Sequence, residues 1–238
     1  MVLVHGGLLD GRMWDDQVPV LAKKYRVIRY DVRGFGRSAE PVGPYLAADD
    51  LTALLDQLKI PKATLVGLSL GGRISIDFAL LHPERVEALV LLAPGLSGFQ
   101  GLGDGGKSFW ERVAAARTEG PKKAVELWLK DPIMAPAMEN PAVAAKIRPI
   151  AEANQHVFLQ NPLFEMELKP PAIERLGAIR CPTLLLIGDR DVRAIEAIVG
   201  ILDIHVANIR KVVIRGSGHM LNMEKPEEVN RLVLEFLK

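Results

Sequence analysis

The sequence predicts an α/β protein: a doubly wound, mostly parallel sheet with helices on both faces and a block of helices inserted near its middle. Three observations carry that expectation. Short β-branched runs alternate with amphipathic stretches along most of the 238 residues, the pattern of strand–helix–strand units. Most of those runs are continuously apolar, as strands are when helices cover both sheet faces. From 95 to 178 the rhythm stops, and helical segments with Gly- and Pro-rich joints take over.

Taken in order, residues 2–4 form the first strand, 14–24 a helix, 26–30 (Arg-Val-Ile-Arg-Tyr) the second strand and 45–59 another helix. Residues 63–66 make the third strand, followed at once by a helical pattern over 70–82, and 86–92 the fourth. The glycine-rich run from Gly98 to Gly106 reads as a flexible loop. Helices are expected over 108–118, over 122–130 with Pro121 as a start signal, and over 142–159. Strands resume at 183–187 and 211–214, and 225–238 closes the chain as an amphipathic helix in which Val229, Leu232, Val233 and Phe236 share a face. The expected division is a core of 1–94 and 179–238 carrying a helical cap, or lid, of 95–178.

The composition narrows the function. A formal net charge of +1 offers no electrostatic attraction to nucleic acid or an anionic membrane. No apolar run approaches the roughly 18 residues of a membrane span. The single cysteine, Cys181, excludes an intramolecular disulfide framework. With no basic leader or cleavage site in Met1-Val-Leu-Val-His5, the expected location is cytoplasmic.

Gly67-Leu-Ser69-Leu-Gly71 carries the chemistry. It lies between a strand and a helix, where flanking glycines permit the sharp turn that lifts a serine hydroxyl above a sheet. The plainer alternative is a helix-capping serine. A serine nucleophile needs a base and an acid to orient that base. Strand 183–187 runs into Gly188-Asp-Arg-Asp191, where Asp189 and Asp191 compete and Asp191 is preferred. Strand 211–214 leads to Gly216-Ser-Gly-His219-Met220. Serine, aspartate and histidine thus each follow a separate strand, on one rim of the sheet. His5-Gly6-Gly7, after the first strand, supplies a loop whose backbone N–H at Gly7 can join that of Leu70 in stabilising an oxyanion. His82 reads as a helix-end cap, and His156 and His205 as structural or solvated.

On these segments, together with Asp31-Val-Arg-Gly-Phe-Gly-Arg-Ser38, the Cys181–Asp191 run and Glu224-Lys-Pro226, the chain resembles the α/β-hydrolase superfamily. It is most similar to its capped, cofactor-free carboxylesterases, enol-lactonases and haloperoxidase-like enzymes. The resemblance implies that fold, Ser69, Asp191 and His219 as catalytic triad, and Gly7 and Leu70 as oxyanion hole. Two departures stand out. Relatives carry two further strands before the His-Gly segment, so either the start lies upstream or the usual N-terminal hairpin is lacking. In the second case a sheet edge is exposed and a homodimer is expected. Val192-Arg-Ala-Ile-Glu196 also stands where many relatives have a proline.

The expected activity is hydrolysis of carboxylic esters with small to medium apolar acyl groups, through an acyl-enzyme and without metal or cofactor. Lactone hydrolysis, carbon–carbon bond hydrolysis, perhydrolysis, a low-turnover ligand receptor and an inactive scaffold are the alternatives. Ser69 argues against epoxide hydrolases and haloalkane dehalogenases, which resemble this family but use aspartate. The substrate is expected between rim and lid, against Leu8, Trp110, Met134, Phe158 and Met220, with Phe99, Phe109, Trp128, Met138 and Phe164 as further apolar surface. Arg33, Arg37 and Arg73 are expected in ion pairs rather than on substrate.

Overall fold

In the computed structural model, which describes residues 1–101 and 104–238, burial follows the apolar runs closely. β1 (Val2–Val4) is buried at every residue. A 3-10 turn (Gly11–Trp14) and a short helix, α1 (Val18–Leu21), lead to β2 (Ile28–Tyr30). The helix expected over 14–24 is thus four residues long. Pro19 fits only a first helical turn, so the helix cannot extend back. β2 is shorter than expected because β1 offers partners only at Val2, Leu3 and Val4.

α2 (Ala47–Gln57) precedes β3 (Ala63–Leu68), which runs straight into α3 (Leu70–Leu81) and then β4 (Val86–Leu92). β3 is wholly buried, and β4 exposes only Glu87. β3 outruns its expected end because Gly67 and Leu68 still pair with Leu91 and Leu92.

Between β4 and the next strand lie α4 (Asp104–Thr118), α5 (Pro121–Leu129), α6 (Ala135–Glu139) and α7 (Pro141–Ala153), joined by 3-10 turns. Asp104 to Gly106 belong to α4 rather than to the expected loop; Leu102 and Gly103 of that loop lie outside the described residues. The helix expected over 142–159 is instead α7 followed by a 3-10 turn (Gln155–Leu159). The break falls at Asn154, which is fully buried and committed elsewhere. Its side chain donates to Asp10 Oδ2 and Ile150 O (2.9 Å each) and accepts from Gly36 N (2.6 Å). Gln160 and His156 both reach Gly34 O, so this stretch ties the helical block to the loop after β2.

β5 (Thr183–Gly188), α8 (Arg193–His205), β6 (Ile209–Ile214), α9 (Leu221–Glu224) and α10 (Pro226–Phe236) complete the chain. The six strands form one parallel sheet in the order β2-β1-β3-β4-β5-β6. β2 and β6 are its edges; the strand that opens the chain, β1, lies inside it. From β1 the chain moves outward to β2, then returns to place β3 on the other side. Connections diverging from adjacent strands open a crevice at their carboxyl ends, where ligands bind in sheets of this kind. Among the described residues no helix is long and apolar enough to cross a membrane.

Candidate active site

The turn between β3 and α3 stands over that crevice. Ser69 holds φ 53°, ψ −111°, a conformation that side chains other than glycine rarely adopt. Its surroundings hold it there: Ser69 N donates to Leu92 O (3.0 Å), and Ser69 O accepts from Gly95 N (2.9 Å) and Arg73 N (3.0 Å). The flanking glycines are required by contact. A Cβ on Gly67 would run into the backbone of Gly71, and one on Gly71 into the carbonyls of Val4 and His5. The motif therefore permits a helix to leave a strand at close range and lifts Ser69 to the cavity above.

The loop after β6 brings His219 to the same cavity. Its Nδ1 lies 3.0 Å from Asp191 Oδ2, in the loop after β5, with both side chains almost wholly buried (2% and 0% exposed). A proton on Nδ1 donated to this carboxylate leaves Nε2 free to act as a base. Asp191 is itself oriented, Oδ1 accepting from Val192 N (2.8 Å). Asp189, its competitor, instead accepts from Gly216 N (2.7 Å) and secures the start of the histidine loop. Glu224 secures the rest: its two oxygens accept from Gly218 N (2.9 Å) and Met220 N (3.0 Å), on either side of His219. Burial pushes the Glu224 carboxyl above its usual range, against the two backbone N–H groups that pull it down.

On the far side, His5 fixes the loop after β1. Val32 N donates to His5 Nε2 (2.8 Å), so the proton sits on Nδ1, which donates to Gly6 O (2.8 Å). Burial lowers the pKa of His5 below its ordinary 6.5 and keeps it neutral. Gly7, next along, borders the cavity, and no hydrogen bond from its N–H to another described residue occupies it. Leu70 opens α3, where first-turn N–H groups lack helical partners. Two backbone donors thus flank Ser69.

The space above is divided. A wide chamber of about 920 Å³ touches Ser69, His219, Met220, Met134 and Gly7. A narrow one of about 400 Å³ touches Leu8, Leu70, Trp110, Phe158 and Gly7. Gly7, Arg112 and Trp128 border both. Leu8, Trp110, Met134, Phe158 and Met220 each border one chamber or the other, whereas Phe164 borders neither. Phe109 borders the narrow chamber too; Phe99 and Met138 pack against the core instead.

Arg112 and its partners had no motif to mark them. Its guanidinium meets Ser108 Oγ and Asp131 Oδ2 (2.6 Å), while Ser108 Oγ donates to Asp131 Oδ2 (2.9 Å). Ser108 and Arg112 are four apart on α4, a spacing that shares a helix face, but Asp131 comes from beyond α5. The other basic residues pair structurally: Arg33 with Asp50, Arg37 with Asp31 (3.9 Å), and Arg73 with Glu165. His82 ends α3 and packs on Phe78, while His205 bonds Ile201 O at the end of α8. Among the described residues no cluster of three or more His, Cys, Asp or Glu is arranged to hold a metal ion.

Comparison with known proteins bears on this geometry. The profile of the alpha/beta hydrolase family matches residues 1–232. The 2-hydroxy-6-oxo-6-phenylhexa-2,4-dienoate hydrolase of Comamonas testosteroni is 29% identical, across 100% of this chain and 86% of its own. Among solved structures, the enol-lactonase from Burkholderia xenovorans LB400 superposes with a TM-score of 0.85 at 30% identity, covering 99% of this chain and 90% of that one. A thermophilic esterase from Thermogutta terrifontis gives 0.84 at 31%, covering 99% and 88%.

Proposed function

The chain belongs to the alpha/beta hydrolase family, and from its site we propose that it cleaves carboxylic esters through an acyl-enzyme on Ser69. The observation that carries this reading is the 3.0 Å His219–Asp191 pair, buried beneath the cavity onto which the strained Ser69 turn opens.

In the first step His219 Nε2 takes the Ser69 proton while Oγ bonds to the ester carbon. Charge on the carbonyl oxygen meets the N–H groups of Gly7 and Leu70; losing one such donor typically costs about 3–4 kcal/mol. The carbon–oxygen bond to the alcohol then breaks, and His219 returns the proton to the departing oxygen. Water, deprotonated by His219 in turn, releases the acid and restores Ser69. Asp191 holds the imidazole tautomer and balances its transient charge. His5 and Glu224 position the donor loop and the histidine loop.

The test is hydrolysis of p-nitrophenyl esters of graded acyl length by wild type and Ser69→Ala. Turnover by the wild type and a loss on the order of 10⁴-fold in the variant are expected. A folded wild type that cleaves none of them, or a variant that retains activity, would overturn the esterase reading. Lactone hydrolysis is the second reading, favoured by the likeness to the enol-lactonase structure. It leads if enol-lactones turn over and open-chain esters do not. The helical block acts as the cap in both readings. The homodimer is a separate proposal, which light scattering giving a monomer at high concentration would remove.

A further inference from the structure

Resting on the esterase reading, we infer that the two chambers divide the substrate, the narrow one taking a compact aromatic or branched acyl group and the wide one a larger, polar alcohol. The division follows from which residues each chamber touches. His219 must hand its proton to the leaving oxygen, and it borders only the wide chamber. Leu70, whose N–H faces the developing oxyanion, borders only the narrow one. Gly7 borders both, so the scissile carbonyl sits at their junction. The alcohol oxygen then points to the His219 side, and the acyl carbon chain extends the other way.

The walls fit that assignment. Past Leu8 and Leu70, six aromatic residues border the narrow chamber, Phe109, Trp110, Trp128 and Phe158 among them, with Gln160, Asn161 and Glu165 as polar lining. Six aromatic rings around about 400 Å³ suit a flat or branched apolar group better than a polar one. The wide chamber, at about 920 Å³, is bordered by Ser108, Arg112, Asp131 and, exposed at its rim, Arg193. Arg112 stands in the dividing wall, bordering both chambers, with its Nη1 held by Asp131. Ser108 and Asp131 border the wide chamber and not the narrow one, so their oxygens place hydrogen-bond acceptors on its side of the wall. Hydroxyl groups on the alcohol can donate to them.

The experiment is a matrix of kcat/KM values. Glycerol monobenzoate, hexyl benzoate and methyl benzoate vary the alcohol, and the corresponding acetates vary the acyl group. The wild type should prefer benzoate to acetate and glycerol to hexyl, each by about tenfold or more. Val157→Phe, in the narrow chamber, should lower the benzoates and spare the acetates whatever the alcohol. Ala194→Phe, in the wide chamber, should lower the glycerol and hexyl esters and spare the methyl ones. The reverse pattern in the variants, or a wild type that prefers hexyl to glycerol, overturns the division. The wild-type matrix decides even if a variant fails to fold.

Phosphonylation of Ser69 by p-nitrophenyl phenylphosphonates, followed by mass spectrometry, separates this failure from that of the parent reading. No labelling and no ester turnover remove the esterase and the division together. Ser69-dependent labelling with the wrong chamber preferences removes the division alone.

Discussion

At the carboxyl edge of the sheet, Ser69, Asp191 and His219 each stand one to five residues past a strand, in turns held through their own backbone: Ser69 by other backbone groups, the His219 loop by the carboxylates of Asp189 and Glu224. In the helical block above, the wall residues come from separate helices and turns, and side chains hold them: Arg112 with Ser108 and Asp131, and Asn154 with Asp10. The two regions border the same space by different means. Backbone anchors leave a reacting atom little freedom, because the strands beneath them cannot shift singly. Side-chain anchors hold the wall residues pair by pair, so a substitution between them changes one surface without moving the rim.

Damage at the rim should therefore reach both stability and rate, and damage in the block should reach rate alone and selectively. The largest effect is expected from Gly71→Ala. Helix propensity favours alanine over glycine by about 1 kcal/mol, yet a Cβ here meets only backbone of Val4 and His5. Overpacking of this kind typically costs about 1–3 kcal/mol, and the displaced loop carries Gly7. A lower melting temperature with reduced kcat is expected; an unchanged melt would break the contrast.

A second, smaller effect reads the rim through pH. Burial lowers the pKa of His5 from its ordinary 6.5 in the folded chain, so below that value the unfolded chain binds a proton the folded one refuses. Stability that is present above 6.5 is lost as pH falls toward the folded value, by at most about 1.4 kcal/mol per unit. Urea midpoints at pH 7.5 and 5.5 should fall further for wild type than for His5→Gln. Equal falls would deny His5 this part.

The smallest effect on the fold belongs to the block. Trp110 is 53% exposed and borders only the narrow chamber. Trp110→Ala should leave stability within about 0.5 kcal/mol and lower kcat/KM for aromatic acyl esters by about tenfold or less. A large drop in melting temperature would place Trp110 in the core of the block rather than at a substrate surface.

Much of this is legible in the sequence. Strand order of appearance, the Ser-Asp-His succession and the glycine turns are local, and the physics behind each acts over a few residues. The two departures differ in range: Pro19 limits the helix expected over 14–24 from within it, whereas the break at Asn154 in the one expected over 142–159 comes from bonds to Asp10 and Gly36, far away in sequence.

The sequence by itself therefore determined the parallel α/β architecture and which residues stand at the rim. A strand's carboxyl end and a glycine-flanked turn say where a side chain must emerge. Only the tertiary structure decided the rest: that Asp189 serves a backbone while Asp191 serves His219, that Glu224 clamps the histidine loop, and that the cavity is split at Gly7, Arg112 and Trp128. Those contacts join residues from separate elements, where no periodicity or spacing rule operates and packing alone selects the partners.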